Sequence, residues 1–182
     1  ILERNEDEAE IIKHLHLLSE KPLMYIVNVD EGVHANKDGE QNSLSVEENV
    51  PHVPISAKLE AELVDLSPEE AAEYMSDLGI QETGLDKIIV AGYKLLHLAT
   101  FFTSGEQETR AWTVKEGTKG PEAAGVIHTD FEKGYIKAEV AEWQDFVEHD
   151  GWGGVKTSGK MRLEGKEYVV SDGDVVYFHV ST

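Results

Sequence analysis

Lys21-Pro22-Leu23-Met24-Tyr25-Ile26-Val27-Asn28-Val29-Asp30-Glu31 is the stretch on which the reading of the fold turns. Pro22 ends any helix that precedes it. Leu23 to Val27 is a short apolar run, partly β-branched and of buried-strand length. It empties into the polar segment Asn28 to Gly32, so the pattern predicts a strand with a loop at its carboxyl end.

Upstream, residues 3–18 read as an amphipathic helix, with Ile11, Leu15 and Leu18 at helical spacing and acids crowding the first turns, where the macrodipole favours them. Downstream, residues 33–49 are polar, and Ser45 with Glu48 offers a capping box. Val50 to Ile55 predicts a second strand, placed at an edge or made irregular by Pro51 and Pro54. It too ends in a polar loop, Ser56-Ala57-Lys58, after which Leu59, Leu63 and Leu66 mark a helix. Ser67-Pro68-Glu69-Glu70 is a strong helix start, with a cap, a proline in the first position and acids behind it; that helix stops at Gly79. Another is predicted from about Leu85 to Leu98. Strand, loop, strand, then helices is the closing half of a doubly wound sheet. Two strands cannot complete such a sheet, so an exposed edge and an uncovered apolar face are expected in this half.

After Leu98 the texture changes to short β-type runs, Thr100 to Thr103 and Thr109 to Val114, around the turn Ser104-Gly105-Glu106. A short helix near Ala123 to Phe131 is closed by Gly134, Tyr135 to Glu142 alternates as a strand does, and Tyr168 to Val170 and Val175 to Val180 are expected to pair around Ser171 to Asp174. The expectation is an α+β chain: residues 1–98 as the closing, C-terminal remnant of a doubly wound α/β domain, and residues 99–182 as a β-grasp, ubiquitin-like module.

Composition narrows the function. The 182 residues contain no cysteine, which excludes disulfides, thiolate metal sites and cysteine nucleophiles. No run of eighteen apolar residues occurs and the acidic start does not resemble a signal peptide, so a cytoplasmic protein without membrane contact is expected. A formal net charge of -20 argues against unaided binding to DNA or another phosphate backbone. The imbalance is uneven: residues 1–98 hold 7 basic and 21 acidic side chains, residues 99–182 hold 9 and 15, so the second half is the better candidate for an anionic partner.

Several stretches together resemble the YchF/Obg-like P-loop ATPases of the OBG type: the opening segment Lys21 to Glu31; Ile55-Ser56-Ala57-Lys58; Gly92-Tyr93-Lys94-Leu95-Leu96; Arg110-Ala111-Trp112-Thr113; Ala123 to Gly134; Gly159 to Lys166; and Asp172-Gly173-Asp174-Val175. The resemblance runs in order along nearly the whole chain. It implies the C-terminal part of such a protein, ending in a TGS domain, with the ribosome as partner and ATP or GTP with Mg2+ as the nucleotide of the intact protein. The phosphate-binding G-x-x-x-x-G-K-[ST] loop is not in this sequence, since Gly159-Lys160 is followed by Met161. Hydrolysis by this chain alone, or tight nucleotide binding to it, is therefore not expected. The alternative is a stand-alone, non-enzymatic TGS interaction module for a ribosomal or small-molecule partner.

By the same resemblance, Asn28-Val29-Asp30-Glu31 is similar to the family's N-x-x-E form of the base-recognition loop, which goes with a preference for ATP. Asn28 and Glu31 are assigned to the base, Val29 to packing or backbone contact, and Ser56-Ala57-Lys58 to the loop that completes the pocket with a backbone amide and an aliphatic stem. Adenine offers an acceptor at N1 where guanine offers a donor, so a displaced and longer carboxylate loses its match to guanine. Taken alone, Asn and acid after a strand are an ordinary turn. In the second half, Lys156, Lys160, Arg162 and Lys166 with Trp152 are candidate contacts to a ribosomal or RNA partner, weighed against a solvated loop face with Trp152 plugging the core. His128 and Asp130 are read as bracing the short helix. His14 and His16 face different sides of a helix, and the other histidines lack ligand spacing, so no metal site is expected.

Overall fold

The computed structural model describes residues 11–12, 14–30 and 50–181. It divides into two compact units, one up to Leu95 and one from Leu96 onward.

The first unit holds a two-stranded parallel sheet, β1 (Tyr25–Asn28) beside β2 (His52–Ile55), in the register Asn28 opposite Ile55. Three helices follow: α1 (Ala57–Val64), α2 (Pro68–Asp77) and α3 (Gly84–Leu95). Each start has a visible cause. Ser56 caps α1, its Oγ accepting the Leu59 N–H at 3.3 Å. Ser67 and Glu70 form a reciprocal capping box on α2 with Pro68 behind them, as the sequence predicted, and Gly79 supplies the positive φ of 69° that ends the segment. Thr83 and Asp86 cap α3 in the same reciprocal way. The core of this unit is thin, with Val53 and Leu59 its buried apolar residues. Ile26 and Leu23 remain about half exposed, at 52% and 53%, which is the uncovered face expected of an incomplete sheet.

Two expectations change here, and a third lies outside the described residues. Of the helix read over 3–18, residues 1–10 and Lys13 lie outside the described residues, Ile11 and Ile12 are helical, and His14 to His16 form a turn in which His16 takes a φ of 49°. The box at Ser45 and Glu48 also lies outside the described residues. The helix expected to reach Leu98 ends at Leu95, because His97 adopts a left-handed φ of 51° and turns the chain into the next strand.

The second unit is a five-stranded sheet: β3 (Leu98–Ser104), β4 (Thr109–Lys115), β5 (Tyr135–Glu142), β6 (Arg162–Glu164) and β7 (Asp174–Val180), in the spatial order β4-β3-β7-β5-β6. β3 and β7 run parallel at its centre, β3 and β4 form a hairpin, and β5 is antiparallel to both β6 and β7. Counted within the unit the order is 2-1-5-3-4, the β-grasp arrangement. The helix α4 (Gly120–Ile127) provides the grasp. Its Ala123 and Ala124 are fully buried, small enough to seat the backbone against Phe101, Val140 and Val176 on the sheet. Phe101 and Phe178 meet edge to face at 5.9 Å.

The single helix predicted near Ala123 to Phe131 is two, α4 and α5 (Thr129–Gly134), broken where His128 turns extended and uses Nδ1 to accept the Asp130 N–H at 3.2 Å. Tyr168 to Val170 is not a strand. Its backbone instead answers the start of α4, Gly120 N–H donating to the Tyr168 carbonyl at 2.8 Å, and the edge of β5 is covered by Arg162–Glu164. Two short helices, α6 (Trp143–Glu148) and α7 (Trp152–Thr157), were not predicted at all.

Candidate functional site

β1 and β2 are parallel and in register, so both of their carboxyl ends, and both candidate loops, emerge on one side of the sheet. The ladder extends one residue further, Val29 N–H donating to the Ile55 carbonyl at 2.8 Å. Asn28, the last residue of β1, then reaches across: its Oδ1 accepts the Ala57 N–H at 3.0 Å. Only the amide oxygen can accept there, so the Asn28 NH2 group is turned away from Ala57 and is left as a donor. Ser56 is 2% exposed, while Asn28, Ala57 and Lys58 are exposed and Val29 is half-buried.

Ser56-Ala57-Lys58 is thus not a loop throughout. Ser56 is the cap, and Ala57 and Lys58 are the first turn of α1, whose start is satisfied from the strand-end side, the Ala57 N–H by Asn28 Oδ1 and the Leu59 N–H by Ser56 Oγ. Lys58 lies 3.7 Å from Glu62 one turn along, an exposed pair. Glu31 lies outside the described residues. The structure therefore brings Asn28, Val29, Ser56 and Ala57 together and places Lys58 on the adjoining helix face.

The five residues of the second candidate group behave differently. Trp152 is half-buried, donates through Nε1 to the Ser104 carbonyl at 3.0 Å, and meets Phe146 edge to face at 5.1 Å. It braces α6 and α7 against β3. Lys160 pairs with Asp145 at 3.3 Å. Arg162 donates to Asp174 Oδ1 at 2.9 Å, and Asp174 is only 2% exposed. The Asp174 Oδ2 accepts from the Ser171 N–H at 2.9 Å and from the Tyr168 hydroxyl. Burial, and then the bond to this carboxylate, push the Tyr168 hydroxyl well above the usual tyrosine range. Lys156 and Lys166 are exposed and make no ion pair among the described residues.

Sequence reasoning missed two constellations. Glu60 and Gly84, 24 residues apart, meet at the base of the first site, and nothing local in the sequence marks them. Asp145 and Glu148 on α6 and His149 just after it bring one ligand atom each within 4.8 Å of one another, at i, i+3, i+4 spacing. Asp145 already holds Lys160 there.

Comparisons with known proteins bear on the fold and the family. A family model called YchF-GTPase_C, described as a protein of unknown function, matches residues 98–181. The chain is 48% identical over 182 residues to the ribosome-binding ATPase YchF of Bacillus subtilis, covering 97% of this chain and 50% of that protein. It is 42% identical over 186 residues to the human Obg-like ATPase 1, covering 98% and 46%. The solved structure of the Schizosaccharomyces pombe YchF GTPase superposes with a TM-score of 0.78 at 36% identity, over 98% of this chain and 48% of that one. The chain spans about half the length of the relatives it matches.

Proposed function

We propose, from the premise that this chain belongs to the YchF/Obg-like ATPase family, that its first half recognises the purine base of a nucleotide and that its second half is a TGS-type interaction domain. The observation that carries the first part is the bond from Ala57 N–H to Asn28 Oδ1, which ties the two strand-end loops into one surface. Ligands of open α/β sheets bind outside the carboxyl ends of the strands, where this surface lies. Asn28 presents its NH2 donors, which suit the ring-nitrogen acceptors of a purine; Val29 offers an apolar flank, and Glu31, by its place in the N-x-x-E run, adds the carboxylate. In this reading Ser56 and Ala57 set the loop and the Lys58 stem packs beside the base.

The relatives are named as ribosome-binding ATPases. Carried to this chain, that makes it part of a cytoplasmic, ribosome-associated protein using ATP or GTP with Mg2+. The backbone cradle and hydroxyl that would hold phosphates and Mg2+ are not formed by any sequence motif present here, so no phosphate step is assigned to these residues. The TGS part, residues 99–182, is the portion less dominated by acidic charge, and Lys156 and Lys166, like Arg110, Lys115 and Lys133, are exposed cations that make no ion pair among the described residues.

The test is a shift-mapping titration of the chain with adenosine, which has no phosphate. Adenosine is expected to move the Val29 and Ala57 amides, and Asn28→Ala is expected to weaken it about tenfold, the worth of one good hydrogen bond. Adenosine binding that is unchanged in Asn28→Ala would remove the assignment.

A further inference from the structure

Glu60 lies on α1 one turn after Ser56, and its N–H donates to the Ser56 carbonyl at 3.0 Å. Its side chain turns the other way. Glu60 Oε1 accepts the Gly84 N–H at 2.6 Å, in a partly buried position. Gly84 is the first residue of α3, and the Thr83 and Asp86 box satisfies other groups of that helix start but not this N–H. An acid from α1 is thereby the cap of α3, placed where the helix dipole favours it.

The contact is close on every side. A Cβ built on Gly84 would stand 2.8 Å from Glu60 Oε1 and 2.9 Å from Ile55 Cγ2. Ile55 is the last residue of β2, faces Asn28 across the ladder and precedes the Ser56 cap. Three segments converge there: the end of β2, the first turn of α1 and the start of α3. Moving any one moves the Ala57 amide that Asn28 holds.

We propose that Glu60 is a positioning residue of the base-recognition surface, clamping α3 to α1 so that the Ala57 N–H stays aimed at Asn28. The clamp acts through a hydrogen bond to one carboxylate oxygen, so an amide oxygen serves as well. Gly84 is its second half, since only a residue without a side chain lets α3 approach this near. What the surface is for rests on the base-binding reading; the clamp itself does not.

The experiment is hydrogen exchange on this chain, read as the rate of the Ala57 amide relative to the Val29 amide, whose bond to Ile55 belongs to the strand ladder and serves as internal reference. In Glu60→Ala the ratio is expected to rise about tenfold. Glu60→Gln should return it to within about threefold of the parent, since the amide oxygen still accepts. Gly84→Ala, which displaces Glu60 without altering it, should reproduce Glu60→Ala. An unchanged ratio in Glu60→Ala overturns the proposal, including the case in which the whole first unit opens and both amides accelerate together. A Glu60→Gln ratio equal to that of Glu60→Ala overturns it as well. Failure of adenosine to bind sinks the base-recognition reading and leaves this ratio untouched.

Discussion

Replacing Gly154 by alanine is expected to destabilise the second unit by on the order of 3 kcal/mol, whereas the same change one residue earlier, at Gly153, leaves stability unchanged or slightly raised. The two glycines are neighbours in α7 and share its helical backbone, so propensity alone treats them alike. Space separates them. A Cβ on Gly154 would fall 1.7 Å from the His149 carbonyl oxygen and 2.7 Å from its carbon, while one on Gly153 meets nothing within 4 Å. The obstacle is backbone, which no rotamer change can relieve.

The closeness is built by the turn between α6 and α7. Asp150 and Gly151 both take positive φ, 55° and 93°, and fold the first turn of α7 back onto the last carbonyls of α6. Val155, fully buried, is seated by that turn. Gly154→Ala must therefore reopen the turn and lift Val155 and Trp152 from the sheet. Urea unfolding with tryptophan emission as the probe is the check, and at roughly 1–3 kcal/mol per molar urea the midpoint should fall by about 1–3 M. A midpoint equal to that of Gly153→Ala would contradict the packing described.

Asp174→Ala carries the second large effect, a loss of about 3 kcal/mol. The carboxylate holds the Arg162 guanidinium, the Ser171 N–H and the Tyr168 hydroxyl, and truncation leaves the last two with no acceptor in a site that water does not reach freely. Arg162→Ala is expected to cost less, about 1 kcal/mol, because that side chain is 48% exposed and its partner keeps two other donors. Asp174→Asn should fall between them: it keeps one acceptor and turns an NH2 group toward a donor. The order Ala, Asn, then the arginine variant, read from urea midpoints, is the checkable content. Equal costs for Asp174→Ala and Arg162→Ala would mean that the carboxylate matters only as the arginine's counter-ion.

These residues also show how far the sequence could be read. The capping run at Ser67 to Glu70 and the alternation of Tyr135 to Glu142 are local patterns, and both elements formed where expected. The α+β class and the β-grasp module followed from the spacing of such patterns, whereas the strand order came from the structure. Asp174 looked like one more turn residue after Gly173, because an aspartate's burial is decided by the arginine and tyrosine that converge on it from other segments. α6 and α7 were lost for a related reason: six residues each, one of them starting in Trp152-Gly153-Gly154, they have almost no propensity of their own and are held by Phe146 against Trp152, by the Trp152 bond to Ser104 of β3 and by its ring contact with Tyr177 of β7. At the first site, the order of the two loops was legible. The bond that joins Asn28 to Ala57, and Glu60 beneath it, depend on the parallel register of β1 and β2, which the sequence does not state.

On the proposed reading, this chain holds the base side of a nucleotide site and not the phosphate side. The most direct test compares ATP in magnesium with adenosine on the same chain by residue-resolved titration. Both are expected to act on Val29 and Ala57 with similar weak affinity, near millimolar or about 4 kcal/mol, since three phosphates gain nothing beside a net charge of -20. Micromolar ATP binding, about 8 kcal/mol, with adenosine far weaker, would contradict the claim and show that these residues contain a phosphate-binding surface.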